Sequence, residues 1–193
     1  MLTPPARRRD PRSFPALART LGGSAFCAFC AFCAFLLALL PFAALAEITG
    51  KPAIIDGDTI EIAGWPIRLF GVDAPERAQT CLAAGKRWRC GMEAEMALAF
   101  FVARNWVTCL EKGRGPAGQA LAVCYAGGVG GPDLGRWLVS QGWALAVPGA
   151  GARYAEEQAA ARGAGKGLWR GRFVAPWAWR QGQRLPAAEP PSQ

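Results

Sequence analysis

Asp56, Asp58, Asp73 and Glu76 lie with Arg68 in one stretch, residues 56–76, reading DGDTIEIAGWPIRLFGVDAPE. Carboxylates brought together repel one another unless something positive sits between them. The simplest occupant is a hard divalent cation, which prefers oxygen ligands. Two strands would bring the acids together. Ile60 and Ile62 alternate with Glu61 and Ala63, Gly64-Trp65-Pro66 interrupts, and Ile67-Arg68-Leu69-Phe70-Gly71-Val72 resumes the run. A hairpin centred between Trp65 and Pro66 sets Asp58 opposite Asp73 on one face, with Cβ atoms about 5 Å apart. Strict alternation then turns Arg68 to the other face, so its entry into the site needs a bulge or an irregular strand end. The plain alternative is an Asp-Gly turn and an ordinary hairpin with solvated charges. Glu76 is likewise either a site acid or a loop acid near a helix start.

The 193 residues contain no histidine. That excludes histidine-based nucleases, His-ligated zinc sites and Ser-His triads, leaving acid–base work to carboxylates, Lys, Tyr or Cys. The formal charge is +8, but five arginines against one Asp fall in residues 1–46, and the balance from Glu47 onward is +4. So mild an excess is compatible with a polyanionic substrate without requiring one. The length suits one domain.

Residues 1–46 read as a targeting segment. Arg7, Arg8, Arg9, Arg12 and Arg19 precede an uncharged run from Leu21 to Ala46 that ends in Ala44-Leu45-Ala46. A signal peptide cleaved after Ala46 accounts for this pattern, and an uncleaved membrane anchor is the alternative. The first would release a secreted or periplasmic protein. The second would leave one anchored to a membrane and facing an oxidising compartment. Cys27, Cys30 and Cys33 lie in the apolar run and read as filler. The other four cysteines fit two disulfides in an exported chain. Cys109 and Cys124 flank a hairpin centred near Pro116-Ala117, which sets them side by side, and Cys81–Cys90 would then close the loop after Glu76. A zinc site is the competing reading, weakened by the absence of any C-x-x-C spacing after residue 46.

Strands are expected near 48–54, 58–64, 66–73, 106–111 and 120–126. Met92, Met96, Ala99, Phe100 and Ala103 form an apolar stripe for a helix over 92–104. Asp133 caps a second helix with Gly142 as its stop, and a third runs from about Arg153 to Ala164. Five short strands and about three helices make an α+β, β-rich chain and suit an OB-fold-like five-stranded barrel. Trp169, Trp177 and Trp179, interleaved with Lys166, Arg170, Arg172 and Arg180, either stack and pair single-stranded nucleic acid or pin the C-terminus to the barrel. The tail, residues 181–193, is proline-rich and expected to be disordered.

DGDT, the apolar run, IRLFGVDAPE, the cysteine pattern, DLGRWLVSQGWA and the closing GLWRGRF-x-x-PWAWR together resemble the staphylococcal (micrococcal) nuclease family over residues 47–180. The resemblance implies an OB-fold nuclease in which Asp58 and Asp73 hold Ca²⁺, with the main-chain carbonyl of Ala74 and with Asp56 nearby. It implies that Glu76 positions or deprotonates the attacking water and that Arg68 grips the phosphate. The family carries a second arginine in a D-x-Y-G-R pattern. Here that run is Gly115-Pro116-Ala117-Gly118-Gln119, so Gln119 stands at the arginine's position, with Arg114 as a substitute from the same loop. Loss of one charged transition-state donor costs roughly 10²- to 10⁵-fold in rate. Two functions are therefore expected in competition. One is an exported Ca²⁺-dependent nuclease, a monomer cutting DNA and RNA with low base specificity. The other is a catalytically impaired module binding nucleic acid or a protein.

Overall fold

Two tight turns of the same unusual composition organise the first half of the domain. Ala63-Gly64 and Ala84-Gly85 each place both residues at positive φ (52° and 81°; 48° and 72°). That is the backbone of a two-residue turn whose twist matches the flanking strands. The first joins β3 (Thr59–Ile62) to β4 (Trp65–Leu69), and the second joins β6 (Cys81–Ala83) to β7 (Lys86–Trp88). These assignments come from a computed structural model that describes residues 47–186. The expected targeting segment, residues 1–46, and residues 187–193 of the tail lie outside the described residues.

A six-stranded sheet carries the domain, in the order β1-β8-β9-β4-β3-β2. Its remaining strands are β1 (Glu47–Gly50), β2 (Ala53–Ile54), β8 (Val107–Arg114) and β9 (Ala120–Ala126). All neighbours are antiparallel except β4 and β9. The short β5 (Val72–Asp73) leaves the main sheet and pairs with β10 (Leu145–Ala146). The curled sheet is OB-like, as expected. Its inner face buries Ile60, Ile62, Ile67, Leu69 and Val107 against Leu98, Leu134 and Leu138 from the helices.

The described residues form four helices, α1 (Cys90–Val102), α2 (Leu134–Ser140), α3 (Ala155–Gly163) and α4 (Pro176–Arg180), with 3-10 turns at Ala150–Tyr154 and Gly167–Arg170. Asp133 does cap α2, accepting from the Arg136 amide at 3.0 Å, and Gly142 ends that helix region at φ +74°. The face of α1 differs from expectation. Cys90, Gly91, Ala94, Leu98 and Val102 are buried, whereas Met96 and Phe100 are 48% and 76% exposed. The helix is apolar nearly all round, so two stripes compete. The Cys81–Cys90 bridge and the packing of Gly91 fix which one turns inward. Among the described residues no helix is long and apolar enough to cross a membrane.

The four cysteines form Cys81–Cys90 and Cys109–Cys124, the latter across directly paired positions of β8 and β9. Zinc ligation by these thiols is thereby ruled out. Around the first bridge, Leu168, Trp169 and Phe173 pack with Leu145 and Trp88. Trp169 thus pins the C-terminal segment, as the structural reading of the tryptophans expected. The chain stays tied down past Arg180: the Leu185 and Pro186 carbonyls accept from Arg87, and Arg184 stacks over Trp179 at 3.6 Å.

Candidate active site

Asp58 is presented by a turn that Asp56 shapes. The Asp58 amide donates to Asp56 Oδ1 at 2.9 Å, and the amides of Ile55 and Asp56 both donate to the Thr59 carbonyl. This local side-chain bond to the backbone is the habitual use of an Asx residue in a turn. Asp58 is 4% exposed. Its Oδ1 accepts from the Thr59 hydroxyl at 3.0 Å, and its Oδ2 from the Ala74 amide at 2.8 Å.

Asp58 and Asp73 meet, but not as cross-strand partners. The hairpin turns at Ala63-Gly64 rather than between Trp65 and Pro66, so Thr59 pairs with Arg68, and the Asp58 carbonyl receives the Leu69 amide at 2.8 Å. Pro66 lies within β4, opposite Glu61 and before the parallel pairing with β9 begins at Ile67, where its missing N–H leaves no ladder bond broken. Gly71, at φ +80°, breaks β4 from β5 and folds Asp73 back towards Asp58. The irregular strand end that Arg68 needed is therefore present. Its Nη2 donates to Asp73 Oδ1 at 2.7 Å and lies 3.3 Å from Asp58 Oδ2, so one nitrogen bridges both carboxylates.

Glu76 sits in the loop after Pro75, which three hydrogen bonds at Gln79 hold in place. Its carbonyl accepts from the Gln79 amide at 2.7 Å, the Gln79 carbonyl accepts from the Gly91 amide at 3.2 Å, and the buried Gln79 side chain donates to the Val174 carbonyl at 2.7 Å. The first turn of α1 comes so close that any Cβ on Gly91 would collide with the Glu76 carbonyl. Glycine is required there by space.

Sequence reasoning left one residue out of this site. Arg180, from the last turn of α4, donates from Nη1 to Asp73 Oδ1 at 2.9 Å and from Nη2 to Asp73 Oδ2 at 2.7 Å. The same Nη1 reaches Glu76 Oε1 at 2.7 Å. The bond to Asp73 is the main reason its guanidinium holds its proton even more firmly than usual. In the sequence Arg180 is only one of the basic residues among the C-terminal tryptophans. Its sole signal was its place in the closing PWAWR run.

The loop that should carry the second arginine contributes no charge here. Gln119 folds back so that its Oε1 accepts from the Ala117 amide at 3.0 Å. Arg114 does not replace it, because its Nε pairs with Glu111 at 2.8 Å and its Nη1 turns to the Gly118 carbonyl. Of that loop, Pro116 lines the cleft beside the site. This cleft, of about 410 Å³, has Arg68, Asp73 and Arg180 at its polar end, and Leu121, Pro148 and Trp177 among its apolar walls.

Burial pushes the Asp58 carboxyl up to about 7, against the opposing pull of Arg68 and with Asp56 and Asp73 adding to the rise. A charge on Asp58 is thus incompletely compensated where it is buried, even with Arg68 beside it. That suits a hard cation, and the donors on hand are all oxygens. The set is small: among the described residues no three acidic, cysteine or histidine side chains cluster as ligands. Chemically, the arrangement can hold a cation at Asp58 and Asp73, seat an anion between two guanidinia, and take a proton at Glu76. Glu76 Oε2 accepts no hydrogen bond from the described residues.

Residues 66–171 match the staphylococcal nuclease homologue family. The chain is also 40% identical over 131 residues to the succinoglycan biosynthesis protein ExoI of Rhizobium meliloti (strain 1021), a stretch covering 66% of this chain and 67% of that protein.

Proposed function

The chain belongs to the staphylococcal nuclease homologue family, and on that premise we propose that it is an exported, Ca²⁺-dependent nuclease that hydrolyses phosphodiester bonds of DNA or RNA. One observation carries this reading: Arg68 joins Asp58 to Asp73, and Arg180 joins Asp73 to Glu76, beside a cleft lined by Arg68, Asp73 and Arg180, although a purely structural hairpin has no use for all these charges.

Asp58 and Asp73, with the main-chain carbonyl of Ala74, would hold the Ca²⁺ that the family resemblance implies. Bound there, the metal supplies charge neutralisation and Lewis acidity at a phosphate oxygen. The protein's own groups do the rest. Asp56 fixes the turn that presents Asp58. The Arg68 guanidinium seats a phosphate oxygen through its other N–H groups and meets the charge that grows on it. Glu76 takes the proton of the attacking water at Oε2. These contacts fall on the phosphate rather than on base edges, which gives low base specificity. The two disulfides fit an oxidising compartment, secreted or periplasmic, reached through residues 1–46 as a signal peptide cleaved after Ala46 or as an uncleaved anchor.

A second reading is a catalytically impaired module that binds nucleic acid or a protein partner. It is favoured by Gln119, which is turned onto its own loop, and by a relative named for succinoglycan biosynthesis rather than for a nuclease. Cleavage of single-stranded DNA with Ca²⁺ and with chelator separates the two. Calcium-dependent cutting that disappears in Glu76→Ala establishes the nuclease. No cutting in the parent, with recovery in Gln119→Arg, establishes the impaired module.

A further inference from the structure

We propose that Arg180 is the second guanidinium of this site, delivered to the phosphate from the C-terminal helix. The assignment deepens the nuclease reading and rests on it for the identity of the anion. Arg180 lies beyond the span matched to the family, which ends at residue 171. It is separated from Asp73 by 107 positions.

Three observations carry it. First, the loop position where the family has its arginine is locally occupied: Gln119 caps the Ala117 amide, and Arg114 is paired with Glu111. Second, Arg180 stands where a second cation is wanted. It lines the same cleft as Arg68, and both guanidinia touch Asp73 Oδ1, at 2.7 and 2.9 Å. Third, its planar fork is already set edge-on to a carboxylate, the geometry in which arginine grips phosphate oxygens.

The partners of that fork say how it works. In the present arrangement Arg180 is the counter-ion of Asp73 and Glu76, with about two-fifths of its side chain exposed towards the cleft. Asp73 Oδ1 accepts from both Arg68 and Arg180, and each carboxylate oxygen has two lone pairs. A cation that takes Asp73 Oδ1 therefore competes there with Arg68 and Arg180, and loosening Arg180 turns its fork towards an incoming phosphate. With Asp58 ionised, three carboxylates face two arginines, so the five-residue cluster has an excess of negative charge that a divalent cation reverses. Arg180 thus weakens cation binding and strengthens anion binding.

The test measures binding as well as turnover. A short, end-labelled single-stranded oligodeoxynucleotide is titrated with purified parent, Arg180→Ala, Arg180→Gln and Arg184→Ala over a range of salt, by fluorescence anisotropy in chelator and in Ca²⁺. Ca²⁺ affinity is measured by calorimetry without oligonucleotide. Arg184 is the charge control, because its guanidinium is held by the Trp179 and Gln183 carbonyls. Arg180→Ala is expected to weaken oligonucleotide binding about 10-fold or more and to lower the salt slope by about one. It should slow cutting by about 100-fold or more, while Ca²⁺ affinity stays level or rises a few-fold. Arg184→Ala should keep parental affinity. Arg180→Gln keeps a hydrogen-bonding stem without the charge, so it decides the question should the alanine variant fail to fold.

Parental binding and salt slope in Arg180→Gln overturn the assignment. So does an equal loss in Arg184→Ala, or a parent that binds no oligonucleotide at low salt. A parent that binds through Arg180 without cutting leaves the assignment standing and removes the nuclease reading. A parent that cuts in Ca²⁺ as fast as its Arg180 variants does the reverse.

Discussion

Asp58 is a carboxylate held where stability alone would not place one. It is nearly inaccessible, sits beside Asp56 and Asp73, and shares a single bridging nitrogen with Asp73. Burying like charges together costs free energy unless a cation compensates. Asp58→Asn keeps the shape and an acceptor while removing the charge. The expected result is loss of Ca²⁺ binding and of calcium-dependent cutting by about 100-fold or more, with a melting temperature in chelator equal to or above that of the parent. A lowered melting temperature would mean that Asp58 is a structural acid. The types of these residues were legible in the sequence, and so was the meeting of Asp58 with Asp73, although through the wrong register. Arg180 was not legible, because nothing local in a five-residue helix says which distant carboxylate its last side chain will reach.

The elements were hidden by one recurrent feature, the Ala-Gly turn. Sequence patterns announce two-residue hairpins through Asn-Gly or Asp-Gly, since both central residues need positive φ. Alanine pays a steric penalty there of about 1–2 kcal/mol and so gives no signal. Hence the sequence pattern does not mark β6 and β7, and it centres the β3–β4 turn two residues too late, at Trp65-Pro66. The β8–β9 hairpin was placed correctly because its Gly115-Pro116 break is conventional and its paired cysteines fix the register. The same physics makes a prediction. Ala63→Asn and Ala84→Asn should each stabilise the fold by about 0.5–1 kcal/mol, or about 2–4 °C in melting temperature. The Ala84 change should leave turnover untouched, since its turn belongs to the hairpin outside the cleft lining. Thermal melts of the two variants check this, and a destabilised Ala63→Asn would contradict the backbone described for that turn.

At the scale of the whole molecule, the two disulfides have different work despite similar chemistry. Cys109–Cys124 joins directly paired residues of β8 and β9 inside the main core, where the sheet already holds the strands together. Cys81–Cys90 ties β6 to the start of α1, and the loop carrying Glu76 runs from β5 into β6. The same region receives the C-terminal segment. Leu82 and Arg172 exchange backbone hydrogen bonds at 2.8 and 2.7 Å, and Gln79 holds the Val174 carbonyl just ahead of the helix that bears Arg180. The Cys81–Cys90 bridge therefore bears on Glu76 through Gln79 and on Arg180 through the packed segment. Replacing either pair with serine should cost about 2–4 kcal/mol, since each bridge limits the unfolded chain. Only the Cys81→Ser/Cys90→Ser protein should also lose turnover per folded molecule, by about 10-fold or more, because misplacing catalytic groups by an ångström is that costly. The Cys109→Ser/Cys124→Ser protein should melt earlier yet cut at the parental rate once corrected for the folded fraction. Cleavage assays below both melting temperatures, paired with denaturant titrations, read the two effects separately. Equal turnover in the two variants would show that the loop geometry is set by Gly91 and Gln79 alone, and that the first bridge contributes stability without shaping the site.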